Sequence, residues 1–137
     1  HAISIYVDRY KDCGYPDLIA GLDARGFSFA AVLAYRMHLP FVMIRKPGKL
    51  PHPISSSKKT MEYASVSLEL EKDSIKKGQR VLLVDDVIAT GGSFLAAIEL
   101  VEKVGASVYE CISLLEIEKS GARAALESKH VFSLLKI

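Results

Sequence analysis

Apolar residues recur along the chain in two patterns, one with helical spacing and one of short continuous runs. The helical spacing predicts amphipathic helices over 2–10, 27–37 and 94–104, with a shorter one over 122–127. The continuous runs predict strands buried on both faces at 18–22, 41–44, 81–84 and 109–115, with a final strand over 130–135. Because strands and helices alternate, the sequence predicts an α/β fold with a mostly parallel central sheet flanked by helices.

One long stretch departs from this alternation. Between Arg45 and Tyr63 the chain is rich in Lys, Pro, Ser, Gly and His and has almost no apolar residue that could anchor it to a core. Loops of this length in compact domains are usually functional, so we expect a flexible lid over about 46–64. The residues that follow, 66–71, alternate between apolar and polar and predict a half-buried strand.

Length and charge restrict the kind of protein this can be. A chain of 137 residues, 50% hydrophobic and 25% charged, predicts a single soluble domain over 1–137. Eighteen Lys and Arg against sixteen Asp and Glu leave a net charge of +2, which does not predict a nucleic-acid or membrane surface. The longest apolar run, 29–35, falls far short of the roughly 20 residues that span a bilayer.

The two cysteines, Cys13 and Cys111, lie far apart and have no other Cys or His at metal-ligand spacing. We expect two buried free thiols rather than a disulfide or a zinc site, and therefore a reducing compartment such as the cytoplasm. The chain opens with His1 instead of Met, so the question of a targeting segment upstream stays open.

The strongest chemical signal follows the predicted strand 81–84. The pair Asp85-Asp86 comes first, then Thr90-Gly91-Gly92-Ser93, then a helix. This order places glycine amides and hydroxyls at a helix N-terminus beyond the carboxyl end of a parallel strand, where a phosphate group can bind. A glycine-rich turn capped by Ser93 is the alternative reading. The adjacent carboxylates favour the ligand site, because they repel each other unless something engages them, and they suit a sugar diol beside a metal-bound polyphosphate.

Residues 81–93 resemble the phosphoribosyl-pyrophosphate signature of the type I phosphoribosyltransferases. Residues 19–27 and 44–51, and Glu62-Tyr63 followed by 68–70, are similar to the adenine phosphoribosyltransferases of that family. The resemblance implies purine salvage: transfer of ribose 5-phosphate from phosphoribosyl pyrophosphate to adenine, giving AMP and pyrophosphate. It also implies the type I fold, a homodimer, and Mg²⁺ held through substrate and water without a direct protein ligand.

The resemblance carries roles onto matching positions. Asp85 and Asp86 would hold the ribose hydroxyls. The ribose phosphate would be wrapped by five residues, Ala89, Thr90, Gly91, Gly92 and Ser93. The pyrophosphate loop would be Asp23, Ala24 and Arg25, with a cis peptide expected between Asp23 and Ala24.

Further cations and the base site are implied in the same way. Arg45 and Lys49 would add positive charge for the leaving pyrophosphate, with Arg45 near a dimer contact, whereas Lys46 is expected to be solvated. Glu62 would act with Arg25 as a catalytic residue by protonating or orienting the purine, and Val87 would contact the base.

Two departures from the family pattern leave alternatives open. The N-terminal hood that supplies base contacts in the family does not appear in this chain, and the predicted lid carries a Ser- and Lys-rich insert. A 6-oxopurine substrate therefore stays an alternative, as do a non-catalytic regulator that senses phosphoribosyl pyrophosphate and a truncated chain that does not turn over.

Overall fold

The computed structural model describes residues 2–11, 14–56, 67–126 and 129–137. Within them the chain forms four α-helices: α1 (Ala2–Lys11), α2 (Gly26–Met37), α3 (Gly92–Lys103) and α4 (Ala122–Ala125). The first four strands are β1 (Leu18–Leu22), β2 (Phe41–Ile44), β3 (Pro53–Ser55) and β4 (Glu69–Glu71). The other four are β5 (Arg80–Val84), β6 (Val87–Ile88), β7 (Ser107–Glu116) and β8 (Val131–Lys136), with a 3₁₀ turn at Glu118–Ser120.

Six of these strands form one parallel sheet. Its order is β2-β1-β5-β7, with β8 on the far edge of β7. The short β6 pairs with Leu115 and Glu116 of β7, on the same edge of β7 as β5. It therefore lies in line with β5 in the sheet, beyond the end of that strand. All pairings are parallel, which brings the carboxyl ends of the strands to one edge of the sheet.

Both faces of the sheet are covered. Alternate residues of β1 point to opposite sides: Leu18 and Ala20 pack in the cluster that includes α3, and Ile19 packs with α1 and α2. The continuous apolar runs at 18–22 and 81–84 follow from this two-sided burial, since side chains on either face meet a hydrophobic layer. The predicted α/β fold, with a mostly parallel central sheet flanked by helices, is therefore confirmed.

The long polar stretch is more ordered than the sequence predicted. Pro53–Ser55 forms β3 and pairs antiparallel with β4, so the prediction of a structureless segment is wrong for these residues. The last part of the predicted lid, 57–64, lies outside the described residues. The predicted half-buried strand is also wrong in one respect, because Glu69 on its polar side is itself buried.

Smaller differences concern the ends of elements. Helix α3 begins at Gly92, two positions before the predicted start at Phe94. The apolar periodicity does not detect this start, because glycine has no side chain. No helix in the described residues is long and apolar enough to cross a membrane, since α2 and α3 have only 12 residues each.

Candidate active site at the carboxyl ends of β1 and β5

A cleft opens where the two central strands β1 and β5 end side by side. Gly21 of β1 is in register with Val84 of β5, so the turns that follow both strands meet at the same sheet edge. The cleft has a volume of about 390 Å³. It is lined by 23–25 and Lys46 from one side, and by 85–87, Ala89 and Ser93 from the other. Open parallel sheets bind ligands at this edge.

The two turns approach closely because Gly26 has no side chain. A Cβ at Gly26 would lie 2.7 Å from the carbonyl oxygen of Val84 and 3.1 Å from Cα of Asp85. The first turn of α2 can therefore rest on the end of β5. This packing brings Arg25, the residue before α2, next to the acidic pair: its Nε lies 2.9 Å from Oδ2 of Asp86.

The acidic pair consists of two carboxyl groups in different environments. Burial, first of all, raises the pKa of Asp85 to about 7, although the Asp86 amide donates a hydrogen bond to its Oδ1 at 2.8 Å. The Asp86 side chain is 21% exposed and faces Arg25. The sequence predicted that the carboxylates would disfavour each other, but desolvation of Asp85 is the larger effect.

The glycine turn forms a small concavity at the N-terminus of α3. It has a volume of about 90 Å³ and is lined by Asp85 and by 87–94. Gly91 takes a left-handed conformation (φ +89°) that glycine adopts readily, and the Gly92 amide donates to Thr90 Oγ1 at 3.3 Å. Ala89 and Thr90 are exposed, so the turn is open to solvent. Ser93 lies inside the first helical turn and Gly91 is the N-cap, which makes the reading of Ser93 as the cap wrong.

The turn after β1 centres on a buried carboxylate. Asp23 has a side chain only 4% exposed, and its Oδ2 accepts a hydrogen bond from the Lys46 amide at 3.1 Å. Two cations approach the same oxygen, Arg45 Nε at 3.6 Å and Lys49 Nζ at 4.0 Å. The predicted cis peptide between Asp23 and Ala24 is present.

Arg45 is partly enclosed by its neighbours. Its guanidinium carbon lies 5.6 Å from the centroid of the Phe27 ring, and its Nε is buried without a hydrogen-bond partner among the described residues. Phe27, which the sequence assigned to the packed face of α2 with Phe29, is only half-buried and contacts Phe41 edge-on. Phe29 lies in the core as predicted.

The predicted site residues fall into three groups: those that line the cleft or the concavity, Arg45 and Lys49 beside Asp23, and Glu62. Those of the two turns, 23–25 and 85–93, converge on the cleft and its adjoining concavity. Val87 is half-buried at the cleft wall, whereas its neighbour Ile88 belongs to the core. Lys46, expected to be simply solvated, is exposed but lines the cleft. Glu62 lies outside the described residues.

A second cleft, of about 780 Å³, lies between α1 and the strands β7 and β8. Its buried carboxylate, Glu110, is already engaged: Arg9 binds it through two nitrogens, with Nε at 3.0 Å, and the Tyr10 hydroxyl donates to it. The lone pairs that would recognise a ligand there are used within the protein. The smaller cleft at the sheet edge is therefore the better candidate.

Sequence reasoning missed one polar residue that organises this region. The Glu69 carboxylate accepts hydrogen bonds from the Gly48 amide at 3.0 Å and the Ser55 hydroxyl at 3.2 Å. Nothing in the apolar-polar alternation distinguished it from an exposed glutamate. Only the strand pairing of 45 with 69 reveals that its side chain faces inward.

The geometry of the cleft suits a ligand with two anionic ends and a polar centre. The N-terminus of α3, beside the glycine turn, attracts an anion at one end. Arg25 and Lys46 supply positive charge at the other, and the Asp85 and Asp86 carboxylates between them accept hydrogen bonds from hydroxyl groups. A phosphorylated sugar with a second phosphate group has this arrangement.

Comparison with known proteins gives a consistent result. The phosphoribosyl transferase domain family matches residues 1–137. The adenine phosphoribosyltransferase of Cupriavidus necator is 44% identical over 125 residues, which are 91% of this chain and 65% of that protein. The adenine phosphoribosyltransferase of Albidiferax ferrireducens is 43% identical over 136 residues, 97% of this chain and 70% of that protein. The chain thus spans about two thirds of the length of these relatives.

Solved structures confirm the type I phosphoribosyltransferase fold that the sequence predicts. The crystal structure of adenine phosphoribosyltransferase from Thermoanaerobacter pseudethanolicus superposes with a TM-score of 0.91 at 42% identity, covering 99% of this chain and 78% of that one. The Saccharomyces cerevisiae adenine phosphoribosyltransferase, complexed with adenine and an imino-altritol bisphosphate, has a TM-score of 0.88 at 37% identity. That comparison covers 98% of this chain and 77% of the other.

Proposed function

The chain belongs to the phosphoribosyl transferase family, among its adenine phosphoribosyltransferases, and on that premise we propose that it transfers the ribose 5-phosphate group of phosphoribosyl pyrophosphate to adenine. The products would be AMP and pyrophosphate, as in purine salvage. One observation carries the proposal: an open glycine turn, an acidic pair and a cationic loop from a neighbouring strand border the same cleft.

The ribose 5-phosphate end fits the glycine turn. The phosphate oxygens would accept hydrogen bonds from the amides of 89–93 and from the Thr90 and Ser93 hydroxyls, beside the positive end of the α3 dipole. The ribose hydroxyls would donate to Asp85 and Asp86. Since Arg25 contacts Asp86 in the free protein at 2.9 Å, binding of the diol would compete with this ion pair and free the guanidinium for the pyrophosphate.

The pyrophosphate end fits the turn after β1. Negative charge grows on the leaving pyrophosphate as its bond to the ribose breaks, so cations already in place stabilise the transition state more than the bound substrate. Arg25 would contact the leaving group, and Lys49 and Arg45 would add positive charge. In the free protein the Asp23 carboxylate lies close to both Lys49 and Arg45, and Asp23 and Ala24 border the cleft.

Magnesium fits this site as part of the substrate complex. Mg²⁺ keeps several waters and binds through one or two carboxylates plus substrate phosphates. Asp86 would contact the ion through water once substrate binding has displaced Arg25, whereas the Asp23 carboxylate is buried. When bound, the ion would neutralise charge on the pyrophosphate.

Adenine would lie against Val87 at the cleft wall, with Glu62 near its ring as a general acid or orienting group. We further propose that residues 1–137 act as one domain with a lid over about 46–64. Cys111 is free and buried as expected, and burial raises its pKa to about 12, whereas Cys13 lies outside the described residues; the free thiol supports the proposal of a cytoplasmic location.

We also propose a homodimer. Three large apolar side chains on α2 and β2 are exposed: Val32, Tyr35 and Met43, with Tyr35 79% exposed. Helix α2 and strand β2 contact each other, and exposed apolar residues on neighbouring elements are typical of a protein interface. A second copy covering this side would lie close to Arg45, which follows β2 directly.

The test is a panel of nucleobases. The protein is incubated with phosphoribosyl pyrophosphate, Mg²⁺ and adenine, hypoxanthine or guanine, and nucleotide formation is followed by chromatography. We expect AMP to form with adenine, and no nucleotide to form with hypoxanthine or guanine. Turnover with guanine or hypoxanthine instead would overturn the substrate, and binding of phosphoribosyl pyrophosphate without product from any base would favour the regulator or the inactive truncated chain.

The double variant Asp85→Asn/Asp86→Asn tests the assignment of the sugar site. It keeps the size of both side chains and removes their charge. We expect loss of phosphoribosyl pyrophosphate binding by calorimetry, and unchanged affinity would contradict the assignment of the diol to these carboxylates.

A further inference from the structure

Glu69 is a buried carboxylate that does not border the cleft. It is 9% exposed and lies in β4. Its backbone bonds to that of Arg45 in both directions: the Glu69 amide donates to the Arg45 carbonyl at 2.7 Å, and the Glu69 carbonyl accepts from the Arg45 amide at 2.9 Å. Its side chain then reaches the Gly48 amide at 3.0 Å and the Ser55 hydroxyl at 3.2 Å.

These contacts hold the segment 45–49 from one side while Asp23 holds it from the other. Glu69 binds the backbone at Arg45 and Gly48, and Asp23 accepts the Lys46 amide. Gly48 has φ +91°, a conformation that reverses the chain just before Lys49. A single residue of β4 therefore binds the segment that carries three cations at two positions, Arg45 and Gly48.

We propose that Glu69 is a positioning residue: it orders the 45–49 segment so that its cations meet the pyrophosphate end of the substrate. The inference rests on the proposed function of the cleft. Cations that are already ordered lose less conformational entropy on binding, so loss of the Glu69 contacts would weaken binding of the pyrophosphate portion. Adenine binds elsewhere in the cleft and should be unaffected.

Two substitutions separate positioning from charge. Glu69→Gln removes the charge but keeps the reach: its amide oxygen can accept from Gly48, and its NH₂ can donate to the Ser55 hydroxyl, which also accepts. Glu69→Asp keeps the charge but is one methylene shorter, so it cannot reach Gly48 and Ser55 together. Positioning predicts that Gln is tolerated and Asp is not, and a role as a counter-ion predicts the reverse.

The measurement is steady-state kinetics of each variant together with calorimetric binding of magnesium pyrophosphate. For Glu69→Asp we expect KM for phosphoribosyl pyrophosphate to rise about tenfold, which corresponds to about 1.4 kcal/mol. KM for adenine should change less than about twofold, and pyrophosphate affinity should fall in parallel with the first KM. Glu69→Gln should stay within about twofold of the unsubstituted protein in all three quantities.

Glu71→Gln is the matched control on the same strand. Its carboxylate accepts the His52 amide at 2.8 Å and does not contact 45–49, so this variant should behave as the unsubstituted protein. If Glu69→Asp does not fold, Gly48→Ala reads the same segment with β4 intact. The strain at φ +91° should shift the loop and raise KM for phosphoribosyl pyrophosphate alone.

The outcomes distinguish this inference from the proposed function. If the unsubstituted protein neither binds phosphoribosyl pyrophosphate nor forms AMP, the proposed function fails. If it does both, the positioning role is overturned by a Gln variant weaker than the Asp variant, or by parallel losses for adenine and phosphoribosyl pyrophosphate. Unchanged kinetics in a folded Glu69→Asp variant would also overturn the positioning role. If that variant does not fold, unchanged kinetics of Gly48→Ala would overturn it.

Discussion

Asp85 should lower the stability of the free protein in exchange for binding its ligand, and Asp85→Asn tests this. Burial raises the pKa of Asp85 from 3.8 to about 7, so ionising this carboxyl opposes folding. Asn is neutral at every pH and keeps an oxygen that can accept the Asp86 amide hydrogen bond. The substitution should therefore stabilise the unliganded protein while weakening its binding of phosphoribosyl pyrophosphate.

The size of the effect follows from the two pKa values. The difference between an ordinary 3.8 and about 7 corresponds to about 4 kcal/mol as an upper limit, at about 1.36 kcal/mol for each pH unit. We expect about 1–2 kcal/mol to be realised, because water reaches the rim of the cleft and screens the charge. For a domain of this size that is a rise in Tm of roughly 4–8 °C.

The stability difference between Asp85→Asn and the unsubstituted protein should depend on pH. Between about pH 4 and pH 7 the folded protein binds more protons at Asp85 than the unfolded chain does, so its stability falls as pH rises. Urea unfolding of both proteins from about pH 4 to pH 8 should show a stability difference that is small at the acid end. The difference should grow in favour of Asn up to about pH 7 and stay constant above it.

Asp86→Asn is the comparison for this experiment. Asp86 is more exposed and paired with Arg25 at 2.9 Å, so removing its charge should give no gain in stability. An Asp85→Asn protein that is less stable than the unsubstituted one at about pH 8 would refute the reasoning. So would a stability difference that does not change with pH.

Three further predictions concern packing, turnover and assembly. Gly26→Ala should lower the free energy of unfolding by about 2–3 kcal/mol, because its Cβ would meet the Val84 carbonyl at 2.7 Å; the exposed Ser28→Ala on the same helix is the control, and equal stability of the two would contradict the close packing. Glu62→Gln should reduce kcat by about 10²-fold with little change in either KM, and a change confined to KM would argue against a role in the transition state. Tyr35→Glu should shift the protein from dimer to monomer in analytical ultracentrifugation, and an unchanged sedimentation coefficient would exclude this face as the interface.

Much of the fold could be read from local pattern. Strand β1, and β5 from Val81 onward, are apolar because helices cover both faces of the sheet, and a parallel arrangement follows from their alternation with helices. The acidic pair and glycine turn after β5 could be read in the same way, since phosphate binding depends on residue types at consecutive positions. Even the cis bond at Asp23-Ala24 was expected, through resemblance to the family.

The tertiary structure decided what depends on residues distant in sequence. Lys46 borders the cleft because Asp23 accepts its amide, and the pKa of Asp85 rises because neighbouring elements desolvate it. Glu69 looked like the exposed side of a strand, yet its pairing with Arg45 turns its carboxylate inward onto Gly48. Local periodicity reports only whether a side chain tends to be buried, whereas hydrogen-bond partners and desolvation are set by which distant segments the fold brings together.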